Sequence, residues 1–174
     1  MTICTIGIDP GADGGIAFCS HHGDITIANS TLNIDMKTKA GWIRNICGEF
    51  SSTTYGIVEK PALMITDRKT GKKLTNAKSL VKNAKSQGEW VGMLYCHCKN
   101  VIQPTAQEWQ TFVSGMPGEN AKARVMNYLK KLEPLIYENF CFRENKRTKK
   151  NTVYLDGVAD AIVMALWGYI SLKG

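Results

Sequence analysis

The chain has 174 residues, 44% of them apolar, 21% charged and 9% aromatic, with a net charge of +7. This composition excludes a disordered or collagen-like polymer, and the length suits a single domain, 1–174, with a core of its own. No apolar run approaches the roughly 18 residues of a membrane span. The opening MTICTIGIDPG also lacks the pattern of a signal peptide, so a soluble cytoplasmic protein with no membrane partner is expected.

Residues 3–9 (ICTIGID) are a β-branched run stopped by Pro10-Gly11, which predicts a first strand. Residues 14–20 and 24–29 follow as two more strands, joined by the tight polar segment His21-His22-Gly23 into an antiparallel meander. Trp42, Ile43, Ile46, Cys47 and Phe50 recur at helical spacing over 38–50. Residues 55–59 (YGIVE) read as a fourth strand, ended by Lys60-Pro61. A basic stretch, 66–75, leads into a long helix over about 76–97, and 101–103 is a short fifth strand. Thr105 and Glu108 have capping-box spacing and open a helix through Trp109, Phe112 and Val113. Pro117 can open the next helix, which runs through Tyr128 and Leu132. A charged segment, 143–150, then precedes a final apolar helix from about 153 to 172. The helix over 38–50 carries the chain from the meander to a new strand, which permits a right-handed crossover. Strands one and four are then parallel neighbours. The expected class is α/β, a five-stranded mixed sheet with helices on both faces.

Charge is unevenly spread. Residues 1–65 carry four basic and six acidic side chains, residues 66–150 carry seventeen and seven, and residues 151–174 carry one and two. A basic middle between acidic ends suits a polyanion held by lysines while the acids act locally. The six cysteines lie mostly in apolar segments, where a free thiol behaves as a small hydrophobe. Cys96-His97-Cys98 has too short a spacing for a zinc pair and lacks a second pair, so reduced thiols are expected.

Four carboxylates stand out. Asp9 ends strand one and Glu59 ends strand four, so in a parallel pairing both emerge at the carboxyl edge where open α/β sheets place their sites. Asp156 and Asp160 lie four apart in LDGVADAIVMALWGY and share one helical face. Asp160 sits in so apolar a context that burying its charge demands a cation. Converging carboxylates without His or Cys suit Mg²⁺ or Mn²⁺. Two such ions about 3.5–4 Å apart are a known device for in-line phosphodiester displacement.

IGIDPGADGGIAF at 6–18, VEKP at 58–61, QGEWVGML at 87–94, QPTAQEW at 103–109 and DGVADAIVMAL at 156–166 follow one another in an order that is similar to a known family. Together they resemble the RuvC-type Holliday-junction resolvases, most closely the small phage-type members of this ribonuclease H-like superfamily. The resemblance implies a ribonuclease H-like fold and a homodimeric, Mg²⁺-dependent endonuclease of DNA recombination and repair, making paired symmetric nicks in four-way DNA junctions. Two Mg²⁺ per site are implied, with Mn²⁺ able to substitute. By position, Asp9, Glu59 and Asp160 match the family's acids. Family members commonly carry a further acid or histidine three residues before the last aspartate, where this chain has Gly157. Asp156 is the available fourth ligand, and it is equally placed to cap the helix. Some members have an aromatic wedge after the glutamate; here Leu63 or Met64 would serve, unless they pack in the core or a dimer.

The basic segments fit a phosphate backbone. Lys60 adjoins Glu59, and Arg68, Lys69, Lys72, Lys73, Lys78, Lys82 and Lys85 are opposed only by Asp67 across 66–85. Across 143–150, Arg143, Lys146, Arg147, Lys149 and Lys150 face only Glu144. Lys122 and Arg124 are weaker candidates, and nothing resembles a base-reading motif. The helix over 76–97, with Leu80, Val81, Ala84, Trp90, Val91 and Leu94, is the expected dimer element or else packs on the sheet. The same acids would serve a nuclease of flaps, branched DNA or RNA–DNA hybrids. DPGADGG is also similar to an actin-like ATP-binding turn, but 174 residues leave no room for that fold's second domain, so no nucleotide cofactor is expected.

Overall fold

The computed structural model describes residues 2–48, 53–61, 77–144 and 151–174. Strands β1 (Cys4–Asp9), β2 (Gly15–Cys19) and β3 (Ile25–Ser30) form an antiparallel meander. Helix α1 (Met36–Cys47), capped by the Asp35 side chain on the Thr38 N–H, returns the chain to β4 (Thr54–Val58), which lies parallel to β1. Helix α2 (Ala77–Tyr95) then leads to β5 (Asn100–Ile102), parallel to β4. The sheet order is β3-β2-β1-β4-β5. The expected five-stranded mixed sheet is present.

Beyond it come α3 (Ala106–Gln110), a 3-10 turn (Thr111–Val113), α4 (Ala121–Leu132) and α5 (Pro134–Phe140). A small ribbon follows, β6 (Phe142–Glu144) antiparallel to β7 (Asn151–Tyr154), and then α6 (Asp156–Lys173). Side-chain alternation along β1 divides the core. Cys4, Ile6 and Ile8 join Ile43, Ile46, Trp90 and Leu94 beneath α1 and α2. Thr5 and Gly7 face α6, where the Thr5 hydroxyl donates to the Ala165 carbonyl at 2.7 Å. A Cβ on Gly7 would stand 2.1 Å from the Ala161 carbonyl oxygen, so only glycine lets α6 sit this close. Helices therefore cover both faces.

Two expectations are corrected. The last helix starts at Asp156 rather than near 153, because β-branched Thr152 and Val153 lie in a strand paired with β6. Asn120, whose side chain accepts the Ala123 N–H, opens α4; Pro117 lies before it, and Gly118 turns the chain at φ 152°. The first helix ends at Cys47, capped by Gly48; Phe50, which the spacing assigned to it, lies outside the described residues. Among the described residues no helix is long and apolar enough to cross a membrane.

Candidate active site

Asp9 is the last residue of β1, and Glu59 directly follows β4. Ile8 pairs with Val58, and the Glu59 N–H donates to the Ile8 carbonyl at 3.4 Å, so both acids leave the sheet at one edge. Asp160 comes to the same edge from the second turn of α6. Gly14 and Gly157 touch there as an isolated bridge, which seats the start of α6 on the turn after β1. A Cβ on Gly157 would meet the Asp13 carbonyl oxygen at 2.2 Å. This edge is built by close backbone approach.

Each acid has a distinct setting. The Asp9 carboxylate accepts the Gly11 N–H at 2.8 Å. Burial nevertheless raises its pKa, with Asp13 adding a smaller push. Glu59 Oε2 accepts the indole N–H of the fully buried Trp109 at 3.0 Å. Burial, and then the Asp9 charge, lift Glu59 to about 7 against that hydrogen bond. Asp160 is also lifted to about 7, by burial first, then Asp9 and Glu59, while Lys122 acts the other way and more weakly. The three acids thus oppose one another's ionisation.

Asp156 behaves differently. Its side chain is 37% exposed and forms an ion pair with Lys122. Leu155, not Asp156, occupies the N-cap of α6, so Asp156 is a first-turn acid, where the helix dipole favours it. With Asp13, Ser30, Arg143 and Tyr154 it lines a hollow of about 190 Å³ beside the trio. It is absent from the charges that lift Asp9, Glu59 or Asp160.

A second hollow of about 190 Å³ opens over Asp9 and Glu59, lined also by Pro10, Gly11, Lys60, Pro61 and Asn83. The exposed Lys60 stands at this cleft with its backbone N–H on the Pro104 carbonyl at 2.8 Å. Asn83 brings the lysine-bearing first half of α2 to the same place, where Lys78, Lys82 and Lys85 are exposed. Leu63, Met64, Arg68, Lys69, Lys72, Lys73, Lys146, Arg147, Lys149 and Lys150 lie outside the described residues. Trp109, bonded to Glu59, and Asn83, lining the hollow, were not among the candidates the sequence offered. The capping box that fixes Trp109, with Thr105 and Glu108 bonded reciprocally, was the available signal.

Among the described residues no group of three or more His, Cys, Asp or Glu side chains is drawn together tightly enough to hold an ion as it stands. The donor type of the trio nonetheless suits a hard divalent cation, because it offers carboxylate oxygens at one partly buried edge. A cation there would relieve the repulsion by which Asp9 raises Glu59, and Asp9 and Glu59 raise Asp160.

No family profile and no curated protein sequence matches the chain. Solved structures do. Thermus thermophilus RuvC in complex with a Holliday junction substrate superimposes with a TM-score of 0.56 at 13% identity, covering 99% of this chain and 96% of that one. A second Thermus thermophilus RuvC structure gives a TM-score of 0.55 at 15% identity, covering 99% and 97%. The fold is therefore RuvC-like, a ribonuclease H-like α/β fold along nearly the whole chain.

Proposed function

We propose that this chain is a structure-specific DNA endonuclease, a single nuclease domain over 1–174 that resolves four-way junctions by paired symmetric nicks in the cytoplasm. The observation that carries the reading is the partly buried trio Asp9, Glu59 and Asp160, brought from β1, the end of β4 and α6 to one sheet edge. It occurs on a fold similar to a protein solved with a Holliday junction substrate. Asp9, Glu59 and Asp160 would hold Mg²⁺, or Mn²⁺ in its place, with Asp156 the fourth candidate ligand one turn earlier. When bound, a pair of such ions supplies an activated water and neutralises the leaving oxygen.

The chain's own part is positioning. The Gly11 N–H orients Asp9, and the Trp109 indole orients Glu59. Lys60 at the cleft and Lys122 beside Asp156 supply positive charge for backbone phosphates near the acids. Arg68, Lys69, Lys72, Lys73, Lys146, Arg147, Lys149 and Lys150 extend that attraction without reading sequence. Leu63 or Met64 would enter between bases as a wedge. Paired nicks require two sites related by the junction's own symmetry, so the reading includes an isologous homodimer. Exposed Val81 on α2 is one apolar residue available to that contact.

The test is cleavage of a synthetic four-way junction by purified protein with Mg²⁺, beside a flap and an RNA–DNA hybrid. Two symmetric nicks in the junction are expected. Preferential cutting of the flap or hybrid would replace this reading with the other ribonuclease H-like activity. Neutralising Lys146, Arg147, Lys149 and Lys150 together should flatten the slope of log affinity against log salt by up to about 0.9 per lost phosphate contact.

A further inference from the structure

Two of the six cysteines face each other away from the acid edge. Cys47 is the last residue of α1, Cys98 lies in the turn between α2 and β5, and their Sγ atoms are 3.6 Å apart. The Cys98 N–H donates to the Leu94 carbonyl at 2.7 Å, which pins this turn. Cys47 belongs to the core layer of Ile43, Ile46, Leu94 and Val101, and Cys98 packs against it. No other arrangement is comparable: Cys4 and Cys19 belong to opposite faces of the sheet, Cys141 is buried elsewhere, and Cys96 is exposed.

We propose that Cys47 and Cys98 are a reversible modification site, a dithiol that a small disulfide of the glutathione type converts into an internal disulfide. The sulfurs need to close by roughly 1.5 Å to reach bonding distance, which side-chain rotation can supply. Cys98 is the partly exposed member and takes the first step. Its sulfur attacks the small disulfide, forms a mixed disulfide and releases one small thiol, which carries away the Cys98 proton. The Cys47 sulfur then attacks the Cys98 sulfur and releases the second small thiol with the Cys47 proton. Two cysteine thiols are oxidised while one small disulfide is reduced to two thiols.

The new bond would close a loop whose ends are 51 positions apart, containing β4, Glu59 and α2. It would thus staple one side of the acid cleft without touching the acids. None of this depends on the nuclease reading.

The experiment treats the full chain with oxidised glutathione, counts remaining thiols after denaturation, and maps cross-links by peptide mass spectrometry. The expected product has four free thiols of the original six, a Cys47–Cys98 peptide, and a Tm higher by roughly 5–15 °C that dithiothreitol reverses. Cys47→Ala should accumulate the stable glutathione adduct on Cys98, and Cys98→Ser should show neither adduct nor Tm gain. If Cys47→Ala does not fold, the Cys98→Ser comparison alone decides. Six thiols left intact, a bond mapped to Cys96, or a lasting adduct on Cys98 in the unsubstituted chain would each overturn the proposal.

Discussion

Asp160 and Asp156 lie one turn apart on the same helix and end in opposite circumstances. Asp160 is withdrawn from water beside two other acids and is raised to about 7. Asp156, 37% exposed, pairs with Lys122 over a hollow that also holds Arg143. One region is a set of acids short of positive charge, and its neighbour holds an acid already paired. Only the first stores repulsion that a cation could release. Chain position alone does not separate them, since α6 carries both; the charges each one faces do.

Asp160→Asn should have the largest effect. Cleavage is expected to fall by at least about 10³-fold while junction binding persists, because charge at the metals is lost and the lysines remain. Near-normal cleavage by a folded Asp160→Asn protein would remove the trio from the mechanism. Trp109→Phe keeps the ring in the core but deletes the hydrogen bond to Glu59. About a 10–100-fold weakening of Mn²⁺ binding is expected by calorimetry, and unchanged affinity would mean Glu59 needs no orienting donor.

The third difference appears in stability against pH. Glu59 and Asp160 have folded pKa values above those of the unfolded chain, so the folded protein binds the extra protons. Their contribution is fully present below about pH 4 and is lost as pH rises through about 7. In chelator, Asp160→Asn should therefore gain Tm over the unsubstituted protein, increasingly from pH 5 to 8, by several degrees. A gap that stays flat across that window would mean the acids are hydrated rather than opposed. Asp156→Asn should have the smallest effect, a stability change within about 1 kcal/mol for a partly exposed pair. If it instead abolishes cleavage with the fold intact, the matched region belongs to the metal site as a fourth ligand.

The meander, the parallel β1–β4 pair and the candidate acids were legible because each leaves a local mark. Ile3–Asp9 alternates and stops at Pro-Gly, and Asp160 interrupts an otherwise apolar helix. The β6–β7 ribbon was hidden because its strands are three and four residues long and flank a run of charge that reads as loop. The Trp109–Glu59 bond spans 50 positions, and the Lys122–Asp156 pair joins α4 to α6. No local periodicity encodes contacts of that separation. In sequence Trp109 reads as an ordinary apolar helix residue, and its indole N–H acquires a role only when β4 is beside it.

The seating of α6 on Gly7 also governs when the acid edge can exist. The Thr5–Ala165 hydrogen bond joins positions 160 apart, and the trio draws on residues 9, 59 and 160. During synthesis β1 and β4 are made long before the helix that completes them, so a nascent chain can bring together at most two of the three acids. Contacts of such long range close late in folding. An incomplete or partly unfolded chain therefore lacks this edge, and the chemistry proposed for the trio requires the fold closed around it.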